Sequence, residues 1–308
     1  MKRFLLATTA LLLMTVLQVY AQCPNNEIWY TSIDCEVVEP TKKDALENTY
    51  WQEIVSNYYK NDMGVIVCSE PITTIGDYAF NNCPNLTSIT IPEGVTLIGI
   101  KALSQCSNLT DVTIPNSVTT ISTWAFSYCS SLTNITIPNS VETIGFRAFA
   151  GCDSLTCVSI PNSVMTLGES AFSSCKSLKE FNGKYASNDG RCLMIDGALN
   201  SFAPAGLTDY DIPNNVTTIQ LGAFRKCENL ISVIIPECLL EIGDYAFYDC
   251  SSLLHVYCKA TIPPAGGSSM FHNNASDRKI YVPRESVEAY KNANGWKEYA
   301  DQIVGYDF

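Results

Sequence analysis

Histidine is nearly missing from this sequence: His255 and His272 are the only two in 308 residues. Acid–base and metal-assisted chemistry most often recruit imidazole, so an enzyme is disfavoured from the outset. Charge is scarce too, at 16% of residues, and no Lys/Arg-rich run occurs. With 31 acidic against 19 basic residues the net charge is −12. That balance argues against a chain that holds nucleic acid through its phosphates. There is no G-x-S-x-G elbow, G-x-G-x-x-G fingerprint or P-loop. Past Val19 no apolar run approaches the ~20 residues of a membrane-spanning helix. Apolar residues are nonetheless plentiful, at 46%, too many for a disordered chain.

Met1-Lys2-Arg3, an apolar run from Phe4 to Val19 and then Val19-Tyr20-Ala21 follow the order of a secretory leader. Residues 1–21 are therefore expected to be a signal peptide cleaved after Ala21, and the protein to be exported, either secreted or on the cell surface. Loss of Lys2 and Arg3 leaves 17 basic against 31 acidic residues, a net charge of −14. Lipidation of Cys23 is not expected, because Gln22 stands where a lipoprotein leader has a small residue.

The body of the chain is a repeat. Cysteines stand at positions 83, 106, 129, 152 and 175, and again at 227 and 250, always 23 apart within each run. CSNLTDVTIPNSVTTISTWAFSY, CSSLTNITIPNSVETIGFRAFAG and CDSLTCVSIPNSVMTLGESAFSS share the pattern C-x-x-L-x-x-[IV]-x-I-P-x-x-V-x-x-[IL]-[GS]-x-x-A-F. Such a period signals a solenoid. Between Cys175 and Cys227 a 29-residue unit precedes a 23-residue one, with Pro204 at the cysteine position and Leu207, Tyr210, Ile212 and Pro213 restoring the register. The longer unit carries RCLMIDGALNSF, whose Asp196-Gly197 between apolar runs predicts a hairpin. Upstream, Ile66, Cys68, Ile72, Ile75 and Ala79-Phe80 fit a degenerate first repeat.

Each part of the pattern has a physical role. In an extended chain the [IV]-x-I residues, such as Val112 and Ile114, point to one face, and Pro115 ends the strand because it lacks a ladder donor. Val118 and Ile121 suit a second short extended segment. Gly99, Gly145, Gly168 and Gly243 follow it, where an unusual backbone conformation is expected. Ala125-Phe126, Ala148-Phe149 and Ala171-Phe172 are expected in one turn of α- or 3₁₀-helix. Layers stacked about 4.8 Å apart would bury what one repeat alone cannot.

This pattern resembles the leucine-rich repeats of the Bacteroides surface protein A-like (BspA-like) family over about residues 60–258, in eight or so copies. The stretch FNGKYASNDGRCLMIDGALNSFAPAGLTDYDIP also resembles a segment of that family. The resemblance implies a leucine-rich-repeat-like parallel β-sheet with short helical or 3₁₀ turns, capped at both ends. It also implies surface-exposed adhesion or protein interaction. It transfers no particular binding residue. Unlike the commoner leucine-rich consensus, no Asn or Cys follows the I-x-I strand; Pro92, Pro115, Pro138 and Pro161 do.

The organisation read from these signals is a leader at 1–21, an N-terminal cap at 22–59, repeats at 60–258 with a hairpin insert near 183–203, and a C-terminal cap at 259–308. Residues 26–32, NEIWYTS, read as a cap strand. Residues 279–283, KIYVP, read as a last strand, and 286–293 as a helix with Ser286 as N-cap and Glu288 near its start. Trp296 and Tyr299 are placed over the final layer. ATIPPAGGSSMF reads as a loop from its Pro and Gly content.

Fourteen cysteines in an exported chain suggest disulfides. The repeat instead places Cys83, Cys106, Cys129, Cys152, Cys175, Cys227 and Cys250 in one inward column of small buried hydrophobes, whose parallel Cβ directions disfavour bridging. Cys23 and Cys35 are better placed for a bond. Cys250, His255, Cys258 and His272 match a zinc set by type, but strand parity and spacing separate them, so no metal or cofactor is expected. Asp209 and Asp211 alternate on one strand; they could serve a glycosidase, yet solvated carboxylates on an open sheet are the plainer reading.

The outward strand residues are the candidate binding face: Asp111 and Asn134 in the nearly neutral first half, Glu180, Asp209 and Asp211 in an acidic middle, and His255 and Tyr257 at the end. An alternative aromatic edge comprises Tyr78, Trp124, Phe146 and Tyr245, with Phe146 one place out of register; these rings either anchor a partner or pack on one another. The expected function is an exported binding protein for a protein or surface glycan ligand, with no nucleic acid and no transmembrane segment. The alternatives are an enzyme acting on carbohydrate or peptide, and an envelope scaffold.

Overall fold

The computed structural model describes residues 23–40 and 53–308. The leader reading at 1–21, its cleavage site, and residues 41–52 of the expected N-terminal cap lie outside them.

Each unit is one turn of a three-sided coil. The I-x-I segment forms the first side, with Ser88 opposite Asp111 and Cys157 opposite Glu180 in parallel pairs. The prolines end these strands, and the serine of P-N-S-V then ties layers together. Ser117, Ser140 and Ser163 donate to the carbonyls of Val95, Val118 and Val141 in the preceding layer at 2.7–2.8 Å. Cys238 takes the same place, donating to Val216 O at 3.2 Å. Two-residue strands such as Leu97–Ile98, Thr120–Ile121 and Thr143–Ile144 stack into a second parallel sheet.

The third side is not helical. The Ala-Phe pair lies in a turned backbone whose amides bond to the next layer: Phe80 N to Ala102 O, Phe126 N to Ala148 O and Phe149 N to Ala171 O, at 2.6–2.8 Å. The residue before each alanine is left-handed, with φ of 60° at Tyr78, 53° at Lys101, 56° at Trp124 and 51° at Arg147. That conformation costs roughly 1–2 kcal/mol per residue, which the interlayer ladder offsets. Short 3₁₀ turns occur instead in the C-terminal segment, at Arg284–Ser286 and Lys297–Gln302.

The column of Gly99, Gly145, Gly168 and Gly243 is explained by contact, not by the unusual backbone conformation expected for it; none of the four has positive φ. A Cβ at Gly168 would stand 2.3 Å from Phe146 N, and one at Gly145 2.5 Å from Thr123 N. The chain passes so close to the preceding layer that no side chain fits.

Inside, Phe126, Phe149 and Phe172 stack at 5.1–5.2 Å, and Phe224, Phe247 and Phe271 at 4.7–5.2 Å. Phe202 of the 29-residue unit begins the second stack, 4.5 Å from Phe224. The core divides at this unit into two clusters. Its hairpin, Cys192–Ile195 against Ala198–Phe202, turns at Asp196 and Gly197 with φ of 48° and 82°.

The column cysteines from Cys106 onward are buried, and five of these thiols donate to carbonyls. Cys106, Cys129, Cys152, Cys175 and Cys250 donate to the carbonyls of Phe80, Leu103, Phe126, Phe149 and Phe224 at 3.0–3.3 Å. Cys83, at the column's open end, is only partly buried. Cys23 and Cys35 are unbridged: Cys23 is buried and donates to Glu27 O at 3.3 Å, and Cys35 is exposed. Burial pushes the thiols of Cys106, Cys175 and Cys192 from the usual 9.0 up to about 12, and that of Cys258 up to about 11. A thiol that holds its proton more tightly when folded stabilises fully below pH about 9, and that contribution is lost as pH rises towards 12. The urea midpoint is therefore expected to fall steadily above about pH 9. A midpoint unchanged at about pH 10.5 would show that the column is open to water.

The ends differ from the repeat. Met63–Cys68, which carries Ile66 and Cys68, is buried as read but runs antiparallel to Glu27–Ser32, which in turn pairs antiparallel with Leu86–Thr90. The degenerate first repeat therefore begins at Ile72 and Ile75. At the other end the expected loop is one more layer. Ala265–Gly266 extends the second sheet, Gly267 takes the close-contact position, and Met270-Phe271 takes the Ala-Phe position. Beyond it, Lys279–Pro283 and Ile303–Tyr306 extend the first sheet. The helix Val287–Asn292 has Ser286 before it, but Ser286 donates to Thr261 O at 2.7 Å and caps nothing. Trp296 is fully buried and donates to Pro264 O at 2.7 Å, and Tyr299 OH accepts from Phe271 N at 3.2 Å.

Candidate functional site

Strand parity turns alternate residues of the first sheet to solvent, and the structure divides that face in two. Asp111 is exposed on Asp111–Thr113. Asn134 is exposed on a segment outside the strands, its Nδ2 donating to Thr133 Oγ1 at 3.3 Å. Glu180 is exposed on Glu180–Gly183 and accepts from Cys157 Sγ at 3.5 Å and Asn182 Nδ2 at 3.3 Å. The next strand, Asp209–Asp211, belongs to another sheet. The acidic residues expected on consecutive strands are thus separated. The 29-residue unit sends its hairpin into the second sheet, and its loop fills the gap: Gly190 O accepts from Phe181 N at 2.7 Å, and Asp189 from Tyr210 OH at 3.0 Å. Burial alone would raise the Asp189 carboxyl, but hydrogen bonds from Ser187, the Arg191 amide and Tyr210 outweigh it and hold the group below its usual 3.8.

The C-terminal half of the face is continuous. Asp209 and Asp211 are exposed opposite Ser232 and Ile234, which pair in turn with His255 and Tyr257. Tyr257 then meets Tyr281, and Tyr306 enters on the last strand. Tyr257 and Tyr281 stack at 4.5 Å, Tyr306 lies edge-on to both at 5.4–5.5 Å, and Phe308 extends the cluster 5.2 Å beyond Tyr306. His255 Nδ1 lies 3.4 Å from Tyr281 OH. His255 and Tyr257 were legible as outward residues; Tyr281 shares their parity in KIYVP. Tyr306 sits on a strand that no repeat signal announces, and Phe308 just beyond it.

The zinc-like set does not converge. His255 faces out, whereas Cys258 is buried with Sγ 3.1 Å from Tyr290 OH. Among the described residues no His/Cys/Asp/Glu group comes together to hold a metal, and no helix is long and apolar enough to cross a membrane.

Of the aromatic edge, Tyr78, Trp124 and Tyr245 occupy the left-handed positions of the third side. Phe146 precedes the left-handed Arg147, which explains its shifted register. The rings pack with their neighbours: Trp124 on Phe146 at 5.8 Å, Lys101 Nζ over Trp124 at 4.5 Å and over Tyr78 at 5.5 Å, and Tyr245 on Tyr248 at 5.6 Å. Tyr78 and Tyr245 still keep 37% and 39% of their surface open to solvent.

Solved structures with a similar chain course include a leucine rich cell surface protein of Faecalibacterium prausnitzii A2-165, 25% identical over 77% of each chain with a TM-score of 0.48. A leucine-rich repeat protein of Bacteroides ovatus ATCC 8483 is 21% identical over 83% of this chain and 92% of its own, with a TM-score of 0.40. The pneumococcal vaccine antigen PcpA is 15% identical over 83% and 89%, with a TM-score of 0.43. No curated protein sequence matches the chain. The superpositions are loose, and the decisive match is to a sequence model of the family. Its six copies of the BspA type leucine rich repeat region cover residues 53–182 and 198–293, and on that match the chain belongs to the BspA-type leucine-rich repeat family.

Proposed function

We propose that the protein is exported and acts as a cell-surface or secreted binding protein, holding a protein partner on the C-terminal half of its strand face. The observation that carries this reading is the partly exposed ring cluster of Tyr257, Tyr281, Tyr306 and Phe308 on the same sheet face as the carboxylates of Asp209 and Asp211, with the Ser232–Ile235 strand between them. Half-exposed aromatics supply contact area at low entropic cost and are common interface anchors. The two carboxylates steer a basic patch on the partner, an effect on association rate that salt screens over about 10 Å at 0.1 M. Asp111 and Glu180, on two other sheets, and Asn134, outside the strands, lie outside this patch. The leader-like sequence at 1–21 supports export, and the surface location printed for the Faecalibacterium relative agrees with it. Catalysis by Asp209 and Asp211 is not supported, since both carboxylates are exposed on an open strand.

The test is surface capture of purified extracellular-matrix proteins and mucin by the mature chain. A Tyr257→Ser/Tyr306→Ser variant is expected to weaken a captured partner about tenfold or more, mainly through faster release. Asp209→Asn/Asp211→Asn is expected to slow association and flatten its salt dependence. Wild-type binding by both variants would remove the strand face from the account.

A further inference from the structure

The third side of the coil holds a groove that the strand-face reading does not use. Its floor is one column of small residues, two places after each Ala: Ser104, Ser127, Ala150 and Ser173, all buried. In the next described copies that column becomes Arg225, Tyr248 and His272, so the groove is closed at one end by a large cation. Four layers at about 4.8 Å make it roughly 15 Å long. It encloses a cleft of about 170 Å³.

The walls come from the two left-handed positions of each repeat. Lys101, Trp124 and Arg147 stand on one side, and Tyr128 on the other, each with φ between 51° and 60°. Gly151 lets Tyr128 lie down: a Cβ there would stand 2.7 Å from the ring, and Tyr128 remains 49% exposed above it. Gly222, with φ +58°, lies between the two cations: a Cβ there would make only ordinary contacts, 3.9 Å from Arg147 Nη2 and 3.7 Å from Arg225 Cβ.

These cations lack counter-charges. Among the described residues the ion pairs are Lys176–Glu228, Arg284–Asp307 and Lys291–Glu288, and none involves Lys101, Arg147 or Arg225. The cleft lining contains no carboxylate. Arg147 and Arg225 each leave a buried Nε without a partner, although Arg147 lies over Phe146 and Arg225 over Tyr248. Burial, and then the neighbouring Arg225 charge, lower the Arg147 pKa below the usual guanidinium range. In a chain with 31 acidic residues, two converging unpaired arginines are a costly arrangement that an anion would relieve.

We propose that this groove is a second binding site, for an acidic glycan whose sugar ring stacks on Tyr128 and whose carboxylate or sulfate is held by Arg147 and Arg225. A flat exposed ring suits the C–H face of a pyranose; on the floor beneath it the buried Ser104 and Ser127 hydroxyls bond each other at 2.9 Å. An extended acidic peptide would want apolar side-chain pockets, and this floor of serines and one alanine provides none.

The test titrates the mature chain with three oligosaccharides of equal length and one peptide. Hyaluronan fragments carry carboxylates only, chondroitin sulfate fragments carry both anions, dextran is neutral, and poly-glutamate supplies charge without sugar. Binding of at least one acidic oligosaccharide is expected, weakening with salt, with none to dextran. Preference for the sulfated fragment would identify sulfate as the held anion, and equal binding the carboxylate. Arg225→Gln and Tyr128→Ala are each expected to weaken it about tenfold, the scale of one lost charge-assisted bond or ring contact. The paired Tyr257→Ser/Tyr306→Ser change is expected to leave it unaltered, which separates this site from the strand face. Circular dichroism confirms that each variant is folded, and Arg147→Gln provides a further variant at the same cation pair. Failure of both acidic oligosaccharides to bind overturns the proposal. So does wild-type affinity in the folded variants, or equal binding of poly-glutamate.

Discussion

Phe149→Ala is expected to destabilise the protein by about 3–5 kcal/mol, the usual cost of emptying an aromatic core site. Phe149 is fully buried, with Phe126 5.2 Å away on one side and Phe172 5.1 Å away on the other, both within 2° of parallel. Removing the middle ring takes a contact from each neighbour as well as its own transfer energy. Stability in a solenoid is a sum of local and nearest-neighbour terms, so the damage should spread outward from this layer. The core is also divided at the 29-residue unit, with Phe149 in one cluster and Phe247 in the other. Hydrogen exchange should therefore quicken at the amides of Phe126 and Phe172 before that of Phe247. A melting temperature equal to that of the wild type would show that the Ala-Phe pair does not support the core.

Gly168→Ala is the second large effect, expected to cost about 1–3 kcal/mol as an overpacked site. The new Cβ would meet Phe146 N at 2.3 Å and Gly145 C at 2.5 Å, and backbone cannot swing aside as a side chain can. Gly168 does not have the positive φ that penalises alanine, so the effect is one of distance between layers. Gly206→Ala is the informative contrast. It has φ +79° and nothing within 4 Å, so only the left-handed penalty of about 1–2 kcal/mol applies. Urea denaturation of the two variants should show a lower midpoint and faster unfolding for Gly168→Ala. The reverse order would mean that the layers are farther apart there than 2.3 Å implies.

Several features needed only the one-dimensional pattern. The cysteine column was legible because a residue repeating at the same point of a stacked coil must face the same way in every layer. The hairpin was legible from Asp196-Gly197, whose two positive φ angles few other pairs accept. The helical reading of Ala-Phe failed because an isolated four-residue unit has the same spacing in a helical turn and in a left-handed turn. What decides between them is the neighbouring chain that accepts Phe126 N and Phe149 N. The segment 260–271 was mistaken for a loop because Met270 stands where the repeat has alanine and Pro263-Pro264 breaks the strand signal. Gly267 in the close-contact position was the available clue.

The binding surfaces divide the same way. By itself the sequence determined the coil, its period, the inward column and the outward parity of Asp209, Asp211, His255 and Tyr257, because each follows from local geometry repeated every 23 residues. It placed Glu180 beside Asp209 by counting repeats. The tertiary structure separates them, because the 29-residue unit diverts its chain into the second sheet and fills the gap with Asp189 and Gly190. Only the fold brings Tyr306 and Phe308 onto the rings of Tyr257 and Tyr281. Only the fold sets Arg147 and Arg225, 78 positions apart in the chain, on one cleft. Period and parity are properties of one layer and its copies. Adjacency across an irregular unit depends on the path the chain takes through space, and no local preference encodes that path.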